Sequence, residues 1–228
     1  MPATFDPKAW NRVCEDRGGA GFVFRRGTEL VLELARPLLA PGQRWLDVGC
    51  GTGQLVRTLQ EAGARVAGVD HDLQMAEFAR QTAPAAFVVG RAEQIPFGDA
   101  TFDGVVATSL MGCVADARPV FAEIRRVLRP GGHAIMTFTH RDSWLLKLNY
   151  LLNRRRREGG YRLYNANEVV CELEPIGFRV VEVRFYNFVF CMGDRLLPPA
   201  SVARRLEGSR SLRLARNFII VARGCERP

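Results

Sequence analysis

The run Trp45-Leu46-Asp47-Val48-Gly49-Cys50-Gly51-Thr52-Gly53-Gln54 constrains the fold of this 228-residue chain more than any other stretch. It reads as a short apolar strand that enters a turn punctuated by glycines and leaves it as a helix. Glycine has no Cβ, so such a turn admits positive φ and lets a ligand approach bare backbone. Asp47 stands where the strand ends, and a second strand, Arg65–Asp70, closes on another acid one βα unit later. Strand, glycine turn, helix, strand and terminal acid, in that order, favour a ligand-binding α/β unit over an ordinary tight turn.

The rest of the chain repeats the alternation. Strands are predicted at Arg44–Val48, Arg65–Asp70, Ala86–Gly90, Phe102–Thr108 and His133–Thr139, with β-rich segments at Arg179–Phe190 and Asn217–Arg223. Helices are predicted from a Thr28 cap to Leu39, over Gly53–Ala62, from an Asp72 cap to Gln81, and from an Asp116 cap to Leu128. Asn165 and Glu168 form a capping-box pattern that opens another helix, which Gly177 closes. Before Thr28 the packing points are Trp10, Phe22 and Phe24. Alternating strands and helices imply an α/β fold, a doubly wound and mostly parallel sheet covered on both faces.

Length and composition suit one soluble domain over 1–228. No run approaches the roughly 20 apolar residues that span a membrane, and Met1–Asp6 lacks the plan of a signal peptide. The six cysteines have no paired metal or redox spacing, so no metal site is expected and a reduced, cytoplasmic protein is. The net charge of +8 is almost all arginine, Lys8 and Lys147 being the only lysines. It admits two readings, a compositional habit or an anionic partner.

What the turn holds is narrowed by three residues. A dinucleotide site places glycine at the last position of G-x-G-x-x-G, where a helix N-terminus receives pyrophosphate. Here that position is Gln54, and Asp47 would repel a pyrophosphate while attracting an ammonium group. Asp70 offers two acceptor oxygens to a ribose diol. S-adenosylmethionine, with an amino group, a sulfonium and a ribose, fits better than NAD. An NAD-dependent oxidoreductase is therefore disfavoured.

At this point residues 45–139 resemble the class I S-adenosylmethionine-dependent methyltransferases, in the small-molecule, ubiquinone/menaquinone-type branch. The resemblance runs through Leu46–Gly53, Val66–Asp70, Ala92-Glu93-Gln94-Ile95-Pro96-Phe97, Phe102–Val106 and Glu123–Gly132. It implies a Rossmann-like, seven-stranded sheet whose last strand is antiparallel. It implies that Asp47, Gly49, Cys50 and Gly51 line the methionine and ribose of the cofactor, with Asp47 near the amino group. Asp70 would hold the ribose hydroxyls, His71 would pack near the adenine, Ala92 and Glu93 would edge it, and Thr108 would lie beside the transferred methyl. Two departures stand out. Gly90-Arg91-Ala92-Glu93 carries arginine where the family commonly has an acid, so the adenine amino contact is lost or passes to Glu93 or the backbone. Gly112-Cys113 stands where relatives often carry histidines.

The acceptor is less legible. If the acceptor must lose a proton, His140 is the general-base candidate, the other reading being a loop histidine at a strand end. Cys113 reads better as a small apolar filler than as a nucleophile. Residues 1–40 are expected to cover the substrate and cofactor, 41–140 to form the cofactor-binding core, and 141–164 and 191–216 to form acceptor-side insertions. The first insertion carries Trp144–Leu152 at helical apolar spacing and then Arg154-Arg155-Arg156-Arg157. It reads either as a lid for a lipophilic acceptor with peripheral membrane contact, or as an amphipathic helix with solvated arginines. A nucleic-acid acceptor is not expected, because Ala107-Thr108-Ser109-Leu110 replaces the Asn/Asp-Pro-Pro-aromatic element and no Pro-Cys pair exists. Methylation of structured RNA and non-catalytic cofactor binding stay open as alternatives. The sequence leaves the oligomeric state open.

Overall fold

The computed structural model describes residues 6–15, 19–152, 161–188, 190–192, 195–197, 202, 205, 207 and 212–226. Two helices, α1 (Pro7–Glu15) and α2 (Gly19–Ala35), precede the sheet. Then follow β1 (Arg44–Val48), α3 (Gln54–Glu61), β2 (Arg65–Asp70), α4 (Leu73–Thr82), β3 (Ala86–Val89), β4 (Phe102–Ala107), α5 (Arg118–Val127) and β5 (Leu128–Thr139). The chain continues through α6 (Trp144–Leu152), α7 (Ala166–Leu173), β6 (Phe178–Tyr186), β7 (Phe190–Met192), β8 (Arg195–Leu197) and β9 (Asn217–Gly224).

Seven strands form one sheet in the order β3-β2-β1-β4-β5-β9-β6, while β7 and β8 pair separately. The contacts from β3 to β5 are parallel, and β9 runs antiparallel to both its neighbours, β5 and β6. The expected doubly wound sheet with an antiparallel last strand is therefore what forms. Its faces are covered by separate cores. Helices α5 and α7 bury Phe121, Ile124, Val169 and Leu173 on one side. Helices α2, α3 and α4 bury Leu30, Val31, Leu59 and Ala79 on the other. Gly104 is required where β4 lies beside β1, because a Cβ there would lie 2.4 Å from the ring of its partner Trp45. No described helix is long and apolar enough to cross a membrane.

Four boundaries differ from expectation. Thr28 is interior to α2 rather than its cap, and its hydroxyl donates back to the Phe24 carbonyl at 3.3 Å. Strand β5 begins at Leu128 rather than His133, because Gly131 takes φ 76° and the strand bends through the glycines instead of starting after them. The segment expected as one strand over Arg179–Phe190 is broken at Asn187, whose φ of 60° ends β6 and turns the chain toward β7. Asp116 is not the cap of α5: the N-cap is Ala117, which makes no side-chain cap bond, and Asp116, one residue earlier, accepts from Arg118 N at 3.2 Å.

Candidate active site

The glycine turn is built by backbone that only glycine adopts readily. Gly49, Gly51 and Gly53 take φ of 75°, 51° and 78°. Gly49 N and Cys50 N both donate to the Val69 carbonyl, at 2.8 and 3.1 Å, which pins the turn to β2. Asp70 then fastens it. Its Oδ2 accepts from Gly51 N at 2.8 Å and its Oδ1 from Asp72 N at 3.0 Å. Each oxygen keeps a further lone-pair site after these bonds. Asp72 in turn caps α4 by accepting from Gln74 N at 2.8 Å.

Asp47 is in a different situation. It is 1% exposed, and its Oδ1 is without a hydrogen-bond partner among the described residues. Burial, and then the neighbouring Asp70 charge, push its carboxyl up to about 8. A buried acid with an unused acceptor oxygen suits a ligand that brings a positive donor. The turn's backbone and Asp70 likewise suit a hydroxylated one. The donor set therefore fits an amino- and ribose-bearing cofactor. Beside it, burial and both carboxylates push the Cys50 thiol up, keeping it protonated. Gly68 has no room for a Cβ, which would stand 2.8 Å from Cys50 Sγ.

Helix α1 lies over this turn. Trp10 Nε1 is 3.6 Å from where a Gly51 Cβ would stand, and its ring meets Phe24 edge-on at 5.7 Å. Asn11 Oδ1 accepts from Gln54 Nε2 at 2.7 Å and from the Thr52 hydroxyl at 3.4 Å. The N-terminus of α3, where a pyrophosphate would have to lie, is thus occupied by a side-chain contact.

The sites read from the sequence separate into groups. Asp47, Gly49, Cys50, Gly51, Asp70 and Thr108 meet at the carboxyl ends of β1, β2 and β4. His71, Ala92 and Glu93 lie further along that edge, after β2 and β3. His71 Nδ1 is 3.3 Å from Asp70 Oδ1 with its ring largely in solvent. Arg91 turns to Glu93 at 3.4 Å, and Ala92 packs on the core. A recess of about 560 Å³ beyond Gly90, against Glu123 and Arg126, does not include the glycine turn.

Past Thr108 the chain is held tightly. Ser109 takes φ 55° and its N donates to Thr137 Oγ1 at 2.9 Å. Leu110 then covers Gly49, its Cδ1 lying 3.1 Å from where a Cβ would stand. The segment before α7 is stitched against this loop, with Arg162 N donating to Gly112 O and the Tyr164 hydroxyl to Met111 O, both at 2.8 Å. The Cys113 thiol donates to the Ser109 carbonyl at 3.6 Å, and burial raises Cys113 and Tyr161 above their ordinary pKa values. His140 is enclosed, with its ring edge-on to Phe185 and Phe218 and Nδ1 donating to the Ala215 carbonyl at 3.2 Å. Burial lowers its pKa, so it is a neutral imidazole at pH 7.

Trp10, Asn11, Leu110 and Tyr161 were not candidates from sequence. Only Trp10 carried a signal, as an aromatic packing point, and its position over Gly51 depends on the path of α1. The arginine cluster at 154–157 lies outside the described residues.

Comparison with known proteins agrees with this geometry. A family model described as "Methyltransferase domain" matches residues 46–136. The chain is 33% identical over 162 residues to an uncharacterized methyltransferase of Synechocystis, covering 68% of this chain and 76% of that protein. It is 34% identical over 118 residues to a demethylmenaquinone methyltransferase of Renibacterium salmoninarum, covering 51% of this chain and 49% of that one. It spans about half the length of several other relatives as well. Among solved structures, magnesium protoporphyrin IX methyltransferase from Synechocystis with bound SAH superimposes with a TM-score of 0.68 at 18% identity, covering 95% and 93% of the two chains. The first of these relatives, together with the family match, places the chain among the class I S-adenosylmethionine-dependent methyltransferases.

Proposed function

We propose that the protein transfers the methyl group of S-adenosylmethionine to a small, apolar or lipid-linked acceptor. When bound, the cofactor supplies a methyl on positively charged sulfur, ready for direct displacement by an electron-rich acceptor atom. The chain's own residues bind, orient and exclude water. In this reading Asp47 accepts from the cofactor's amino group on the oxygen that is otherwise unpartnered. Asp70 accepts from the ribose hydroxyls on the lone pairs that the Gly51 and Asp72 amides leave over. Gly49, Cys50 and Gly51 offer close backbone, His71, Ala92 and Glu93 border the adenine, and Thr108 stands beside the methyl.

One observation supports the acceptor class: Leu110, packed over Gly49, and half-exposed Tyr161, packed against Gly112, wall the exit of β4 with apolar and aromatic surface. Such a wall holds an apolar molecule and keeps water from it. The relative named for demethylmenaquinone points the same way. Peripheral membrane contact belongs to the same proposal, because an apolar acceptor partitions into lipid. A reducing cytoplasmic setting suits the free thiols Cys14, Cys50, Cys113, Cys171 and Cys225. Of the two roles open to His140, its enclosure among Phe185 and Phe218 favours packing, so the proposal names no base.

The test is to incubate the protein with methyl-labelled S-adenosylmethionine and a native cell extract. Label should enter the fraction soluble in organic solvent. Label confined to RNA or to protein would overturn the apolar-acceptor reading while leaving the methyl donor intact.

A further inference from the structure

Helix α6 leaves the carboxyl end of β5, the same edge of the sheet that carries the glycine turn. Ser143 opens it, its hydroxyl accepting from Leu146 N at 3.1 Å. Leu146 and Asn149 face inward and are buried. The opposite face presents Trp144 at 62% exposure, Leu148 at 43% and Leu151 at 63%, with exposed Lys147 among them. Positions 144, 147, 148 and 151 follow the helical repeat, so these side chains form one outward stripe. Leu214, in the turn Leu212–Leu214 that lies against α6, extends the apolar area, and exposed Arg213 stands beside it.

Three large apolar side chains in a row on a solvent face are what an interaction surface looks like, whereas single exposed ones are ordinary. Charge identifies the partner. Exposed Lys147 on this face and exposed Arg213 beside it are both cations, and α6 carries no Asp or Glu. A second copy of the chain would bring the same cations against these, which disfavours self-association. An anionic lipid surface complements them, and it also takes apolar side chains to a shallow depth and tryptophan at the headgroup level.

We propose that the outward face of α6, comprising Trp144, Lys147, Leu148 and Leu151, docks on an anionic membrane surface and turns the carboxyl edge of the sheet toward it. This deepens the apolar-acceptor reading and rests on it for its purpose, since docking would place the site where such an acceptor resides. The docking itself is read from α6 and the turn beside it.

Flotation of the full chain with vesicles tests it. The protein should float with vesicles of equal parts phosphatidylcholine and phosphatidylglycerol and stay behind with phosphatidylcholine alone, and raised salt should weaken flotation. The variant combining W144A, L148S and L151S should lose at least about tenfold in partitioning, the effect of withdrawing several buried apolar groups. Its affinity for S-adenosylhomocysteine, measured by calorimetry, should not change. Lys147→Glu should reduce the preference for anionic vesicles. Equal flotation of the triple variant and the wild type overturns the proposal, as does absence of flotation by the wild type. A wild-type dimer that the triple variant disperses, without vesicle binding, assigns the face to self-association and also overturns it. Intact flotation with no label in the organic fraction counts against the apolar acceptor alone.

Discussion

Asp47 occupies a place where a carboxyl stays protonated until something positive joins it. Its pKa is pushed up to about 8 by burial and by Asp70, against about 3.9 in an unfolded chain. Between those values the folded protein keeps a proton that the unfolded chain has released, so folding stability falls as pH rises through that window. Asp47→Asn removes this titration. The melting temperature of the ligand-free variant should therefore decline less between about pH 5 and about pH 8 than that of the wild type. The cofactor's amino group favours the ionised acid, so wild-type affinity for S-adenosylhomocysteine should rise over the upper part of the same window. In the variant it should be at least about tenfold weaker near pH 8 and nearly flat with pH, since an amide cannot pair with an ammonium charge. Melting curves and calorimetry across pH check both halves. Position was legible here: acids at two strand ends mark Asp47 and Asp70. That Asp70 would be fastened to the Gly51 and Asp72 amides was not, because this depends on turn dihedrals that no spacing reveals.

At the level of elements, α1 is the piece that closes the cofactor turn from above. Trp10 lies over Gly51 while Asn11 holds Gln54 and Thr52. Removing the indole by Trp10→Ala should weaken S-adenosylhomocysteine binding by about tenfold, the scale of about 1–2 kcal/mol expected for a lost aromatic wall. It should shift the denaturation midpoint of the ligand-free protein much less than it shifts binding, because among the described contacts of Trp10 are the turn itself and one edge-on contact with Phe24. Equal losses of binding and stability would show that α1 is structural rather than a cover. Strong periodicity made α5 legible, since Val120, Phe121, Ile124 and Val127 are all buried as their spacing predicts. The start of α2 was not, because Thr28 looks like a cap in sequence and its role is decided by a bond back to Phe24. Helix α1 was missed altogether, its short sequence showing a single aromatic, Trp10.

Across the whole molecule, the sheet depends on Arg125 at the end of α5. Its guanidinium donates to the carbonyls of Gly177 at 3.0 Å and Leu128 at 3.5 Å, and also to that of Cys225. It thereby joins α5 to the start of β6 and the end of β9. Arg125→Met keeps the stem but removes the donor that gathers these carbonyls, and should cost about 1.5–3 kcal/mol in denaturant-midpoint measurements. A shift below about 0.5 kcal/mol, the size of an ordinary surface change, would contradict that role. The seven-stranded α/β architecture was legible because alternation and the family motifs run in one direction along the chain. The resemblance implied an antiparallel last strand, but that β9 lies between β5 and β6 was not legible, since no local pattern encodes which remote strand lies between two others.

That pairing has a consequence for how the molecule comes into being. The strand that arrives latest in the chain is an interior plank, flanked by β5 on one side and β6 on the other. Until β9 is in place, β5 presents an open edge and β6 has nothing in the sheet to bind. A chain cut before Asn217 would therefore lose two strands of the sheet rather than one. The residues of β9, far from the glycine turn in sequence, decide whether two of the sheet's seven strands have a place in it.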